Sequence, residues 1–163
     1  MGKKKQKKVA ALNGELLVCS NPKGQRSYEI DERLECGIVL HGSEVKALRG
    51  KRCDLDGAYA AIEQMELYLH GMHVGEYAQA NQFGHEPRRK RKLLAHRGEI
   101  ERLFGRVSQR GYALVPLRVY FKQGRAKVEL GLGKGRKVHD NRETLRREAD
   151  LREARDAILK AKS

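Results

Sequence analysis

Apolar and polar residues alternate through Tyr28 and Ile30 and again through Cys36, Ile38 and Leu40, a period of two that predicts two strands with charged residues between them. Ser43 stands where it can cap a short helix through Arg49, with Val45 and Leu48 turned inward and Gly50 as the stop. Tyr59 to Glu63 and Leu67 to Val74 predict a strand pair turning around Gln64 to Glu66, with Leu67 and Leu69 on one face and Tyr68 and His70 on the other. The period changes between Arg97 and Arg110, where Ile100, Leu103, Phe104 and Val107 recur at helical spacing ahead of Gly111. Two long strands follow, Tyr112 to Lys122 and Arg125 to Leu132, across a Gln123-Gly124 turn.

Many short strands and two small helices, in no alternating order, predict a mainly β fold: an antiparallel barrel of the oligonucleotide-binding type, with a β-sandwich as the alternative. Beyond Asp140 the chain is almost all charge. Glu143 precedes Arg147, Glu148 precedes Arg152 and Asp156 precedes Lys160 at helix-supporting spacing, yet only Leu151, Ala154, Ile158 and Ala161 share an apolar face. This predicts a disordered or conditionally helical C-terminal tail. The lysine-rich start has no periodic apolar residues to offset its ordering entropy. The organisation is therefore a disordered basic arm at 1–13, a β-barrel domain at 14–132 and a basic tail at 133–163.

Charge sharpens the functional reading. A net charge of +14 and a pI near 9.9 on 163 residues favour a polyanionic partner, nucleic acid above all. The cations fall in three zones: Lys3 to Lys8, the block Arg88 to Lys92, and the run from Gly131 to Arg142. In that last run Gly131, Gly133 and Gly135 alternate with other residues, while Lys134, Arg136, Lys137 and Arg142 supply donors suited to phosphate. The spacing fits neither a Walker nor a dinucleotide loop, so it reads as a hinge and polyanion-seeking arm. His139, an imidazole amid cations, is suited to stack on a base.

The six histidines show no metal-ligand or catalytic spacing, and the three cysteines, Cys19, Cys36 and Cys53, form neither a disulfide framework nor a zinc cluster. We expect reduced thiols, no cofactor, no metal and no catalysis. No apolar run reaches bilayer length and no signal-peptide pattern follows the lysines, so a cytoplasmic location is expected. A general single-strand RNA chaperone and a nuclease stand as rival readings, the first weakened by an aromatic content of 6% without tryptophan.

Four segments resemble the SsrA-binding protein, or small protein B, family: Glu35 to Arg49, Tyr77 to Leu94, Gly111 to Leu117, and Tyr120 to Leu130 running into the glycine-basic run. The resemblance covers most of the chain. It implies a barrel that holds the tRNA-like domain of transfer-messenger RNA and a tail that enters the decoding centre and messenger channel of stalled ribosomes. It also implies a complex in which that RNA, charged with alanine, is carried by GTP-bound elongation factor Tu. On the matching positions it implies RNA contact by Asn21, Lys23, Arg26, Glu35, Leu94, His96 and Lys127, to which the basic block adds Arg91 and Lys92. Lys134, Gly135, Arg136, Lys137, His139, Asp140, Arg142 and Ile158 would serve the ribosome-facing tail. Pro22, Gly24 and Lys51 depart from the family pattern.

Overall fold

The computed structural model describes residues 14–76, 85–136 and 138–162, the side chains at 138–141 and 144 excepted. The expected arm at 1–13, residues 77–84 of the second family-like segment, and Lys137 lie outside the described residues. In chain order the elements are β1 (Glu15–Ser20), α1 (Pro22–Ser27), β2 (Tyr28–Ile38), α2 (Gly42–Arg49), β3 (Cys53–Asp54), β4 (Tyr59–Glu63), β5 (Glu66–His70), β6 (His73–Val74), β7 (Arg91–Leu94), α3 (Arg97–Val107), β8 (Tyr112–Lys122), β9 (Arg125–Gly135) and α4 (Val138–Ala161).

The strands close into an antiparallel ring, β8-β4-β5-β7-β2-β9 and back to β8, as the sequence predicts for a barrel. Closure leaves few free strand edges, the general solution to edge pairing in all-β folds. β1 extends the sheet outside the ring along Arg118 to Lys122 of β8, and β3 with β6 forms a separate two-stranded ribbon. Both long hairpins turn on residues in the left-handed region, Gln64 (φ 50) with Met65 (φ 61) and Gln123 (φ 52) with Gly124 (φ 76), which matches the twist of the flanking strands. Leu67, Leu69, Leu93, Leu114, Val119, Val128 and Leu130 fill the interior, and α2 and α3 add Ala47, Leu48, Ile100 and Leu103 to the same core.

Several elements differ from the sequence expectation. The two early strands are one, β2: a bulge between Ile30 and Glu32 takes up Asp31, and Glu32 to Glu35 stay paired to β9. Helix α2 starts from His41 rather than Ser43: the His41 N–H donates to the Glu44 carboxylate at 2.9 Å, while the Ser43 hydroxyl meets His85 Nδ1 at 3.0 Å. Phe104, expected on the buried face of α3, is half exposed.

Strand β9 runs to Gly135, beyond Leu132, and the alternating glycines lie within it. A Cβ at Gly131 would come within 2.9 Å of Ile30 Cδ1, and one at Gly133 within 2.6 Å of the Glu29 carbonyl oxygen. These glycines admit the close approach of β2 on one face of the strand. The hinge reading fails here for that reason.

The tail is a continuous α-helix from Val138, and every described side chain in it is exposed. Where the sequence left the tail disordered or conditionally helical, the structure has a helix whose described side chains face solvent.

Candidate nucleic-acid interface

Strand alternation puts Glu35, Arg118, Tyr120, Lys122, Lys127 and Glu129 on the outside of the β2-β9-β8 wall, because Cys36, Val119, Phe121, Val128 and Leu130 turn inward. Register then sets neighbours: Tyr120 lies opposite Lys127 and Arg118 opposite Glu129. The Tyr120 hydroxyl donates to Glu35 Oε2, which Lys122 Nζ also approaches at 3.4 Å. The tyrosine hydrogen bond outweighs partial burial, and with Lys122 and Lys127 it holds the Glu35 carboxyl below the usual carboxylate range. Burial and the same bond push the Tyr120 phenol up. Glu35 Oε1 is left as a free acceptor among the described residues, and Lys127 as a cation without an ion pair.

Beside this cluster opens a groove of about 380 Å³, with Ile38, Leu40, Val45, Leu94 and Phe121 as apolar lining and Arg125 and Lys127 as cations. Arg49 lies over the Phe121 ring at 5.1 Å. Leu94 is 53% exposed, an apolar side chain presented to solvent because β7 turns Arg91 and Leu93 inward and Lys92 and Leu94 outward. Gly37 of β2 pairs with Leu94 on one side and Lys127 on the other, which brings three of the predicted contacts, Glu35, Leu94 and Lys127, to one site. His96 follows two residues on as the exposed N-cap of α3, its N–H donating to Glu99 at 3.0 Å.

Two predicted contacts are buried. Arg91 is fully buried: its Nε donates to Glu44 Oε2, and its other nitrogens meet the carbonyls of Met72, Arg89 and Pro87 at 2.8–3.1 Å. It anchors β7 from within. Its neighbours in the basic block are paired too, Arg89 to the buried Glu44, and Lys90 and Lys92 on the surface to Glu63 and Glu66. Asn21 is also buried; its side chain accepts from the Gly24 N–H at 3.0 Å and donates to the Pro116 carbonyl at 2.9 Å, capping α1. Pro22 at the first helical position and Gly24, where a Cβ would come within 2.5 Å of Asn21 Nδ2, fit this turn. Lys23 and Arg26 stay exposed on α1, Lys23 paired to Asp56 at 3.2 Å.

A second cleft, of about 750 Å³, lies between α1, β4, α3 and β8, where Tyr28, Tyr59, Phe104 and Tyr112 face Lys23. The tail leaves the barrel beside it: Gly135 pairs with Tyr28, Lys134 with Tyr112, and the Arg136 N–H donates to the Ser27 carbonyl at 2.9 Å. Lys134, Gly135 and Arg136 are exposed there, as are Arg142 and Ile158 on α4, whereas Lys137 and the side chains of His139 and Asp140 lie outside the described residues. From Tyr28 to Glu35 β2 advances by about 23 Å at the usual strand rise, so the groove and the tail's exit sit towards opposite ends of the β2-β9 pair.

The SmpB protein family model matches residues 18–160. The chain belongs to the SmpB family. Similar relatives include the SsrA-binding proteins of Desulforudis audaxviator, 51% identical over 93% of this chain and 99% of that one, and Geobacter sulfurreducens, 48% identical over 89% and 95%. That of Bacillus subtilis is 48% identical over 87% and 91%. A chain in the solved structure described as "tmRNA-SmpB: a journey to the center of the bacterial ribosome" superposes with a TM-score of 0.63 at 45% identity, covering 74% of this chain and 85% of that one. Among residues not anticipated for an SmpB chain are Tyr120 and Lys122, which hold Glu35, and Phe121 and Arg125, which line the groove. The alternation Arg118-x-Tyr120-x-Lys122 held that signal in the sequence.

Proposed function

We propose that this chain binds the tRNA-like domain of transfer-messenger RNA through the groove of Leu94 and Lys127 with Glu35 beside it, and delivers it to stalled ribosomes for trans-translation. The observation that carries this reading is the separation, on one strand pair, of a cation-rimmed apolar groove from the root of a solvent-exposed basic helix. Glu35 stays ionised at neutral pH, and its free oxygen accepts from a base amino group or a ribose hydroxyl. Lys127 and Arg125 neutralise phosphates, and Leu94 packs against a sugar or base face. On the far side Lys134, Arg136, Lys137 and Arg142 meet ribosomal RNA phosphates and His139 stacks in the decoding centre. Helix α4, with Ile158 on its apolar stripe, lies in the vacant messenger channel. The RNA arrives charged with alanine and carried by GTP-bound elongation factor Tu. The chain acts in the cytoplasm as an adaptor, without catalysis.

Glu35→Ala or Lys127→Ala should weaken binding to transfer-messenger RNA by about 10- to 100-fold, the loss expected for a charge-assisted contact, and Lys127→Ala should lower the salt slope by about one. A chain ending at Arg136 should bind that RNA normally and fail to support tagging in a reconstituted translation assay. Tagging by the shortened chain would sink the tail's role, and equal affinity for unstructured RNA would make the protein a general chaperone instead.

A further inference from the structure

All three cysteines are free thiols, but two of them meet: Cys19 Sγ and Cys53 Sγ lie 2.6 Å apart, 34 residues removed in sequence. Cys19 follows the bulge of β1, where the register shifts between Leu17 and Cys19, and Cys53 opens β3. Both are half-buried, within reach of a small oxidant, whereas Cys36 is 1% exposed in the core. The backbone ladder of β1 runs to β8 and that of β3 to β6, so no ladder joins the two cysteine-bearing strands. A covalent link between them would be a new constraint on the fold.

We infer that Cys19 and Cys53 are an oxidative modification site, closing reversibly into an intrachain disulfide under hydrogen peroxide. The Cys19 thiolate attacks one peroxide oxygen, the O–O bond breaks, and one water leaves as a sulfenic acid forms. The Cys53 sulfur then attacks the Cys19 sulfur, its proton departing with the hydroxyl as a second water; two thiols lose two electrons and peroxide gains them. The hydrogen bond to Cys19 and burial hold the Cys53 thiol protonated, which leaves Cys19 to initiate. The core thiol Cys36, pushed up to about 12 by burial, is a built-in bystander.

The bond would pin β1 to the β3-β6 ribbon beside the cleft wall formed by Asn21, Lys23 and Asp56. Purified, reduced full-length protein treated with hydrogen peroxide should lose two of its three thiols and yield a Cys19–Cys53 linked peptide by mass spectrometry. It should remain monomeric on non-reducing gels, and its Tm should rise on the order of 10 °C, as for a loop of this length. Dithiothreitol should reverse all of this. Cys36→Ser should still form the link, and Cys19→Ser or Cys53→Ser should not. Linkage between chains, linkage through Cys36, or oxidation to sulfinic acid with no Cys19–Cys53 peptide would each overturn the inference.

Discussion

Glu44 shows how a single side chain can decide whether a basic run is surface or scaffold. Its carboxylate is fully buried, and burial alone would raise its pKa; hydrogen bonds from Arg89, the His41 N–H and Arg91 outweigh that and hold it below the ordinary 4.5. A folded value below the unfolded one means the stabilisation is full above about pH 4.5 and disappears as the pH falls through the folded value. Glu44→Gln leaves Arg91 buried without a counter-charge and should cost about 3–5 kcal/mol at pH 7. Thermal melts across pH should show the gap between wild type and variant narrowing as the pH falls below about 4.5. The sequence held a clue to this. Leu93 closely follows the basic block, and the period of two of a strand there puts Arg91 on its inward face. What it could not show was the partner, 47 residues away on α2.

At the scale of elements, local chemistry foretold the hairpins, α2, α3 and the long β8-β9 pair, because each rests on short-range periodicity and turn residues. The pieces it missed, β1, α1, β3 and β7, are too short to carry a clear period and exist through tertiary contacts, and the expected strand Leu67 to Val74 divides into β5 and the two-residue β6. The end of α2 was only half legible. The Arg52 N–H bonds the Ala47 carbonyl at 3.0 Å and the Lys51 N–H that of Leu48 at 2.9 Å, so the left-handed position falls on Lys51 (φ 58) rather than Gly50. Lys51→Gly should therefore stabilise the protein by about 1 kcal/mol, read as a higher denaturant midpoint with an unchanged slope. Helix α4 presents the reverse case. Leu151 and Ile158 are exposed on it, so Leu151→Glu with Ile158→Glu should shift stability by no more than about 0.5 kcal/mol. The same pair should abolish tagging in the reconstituted assay.

For the whole molecule, ring closure does more than make a core. The candidate contacts Glu35, Leu94 and Lys127 come from three strands that are distant in sequence, and only the β7-β2-β9 order makes them neighbours. Family-like segments in the sequence pointed to those residues, while the apolar groove between them became visible only with the register. The glycines of β9 had the opposite history: their basic neighbours suggested looseness, and closure of β2 over Gly131 and Gly133 gives the strand its rigidity as far as Gly135. That rigidity makes the β2-β9 pair a ruler. Lengthening both strands by two matched residues would carry the helix root about 7 Å further from the groove with every side chain still facing the same way, whereas a one-residue insertion would turn the faces inside out. The reach between the groove and the helix root is thus graduated in pairs of residues, a discrete dimension that linker-based adaptors lack.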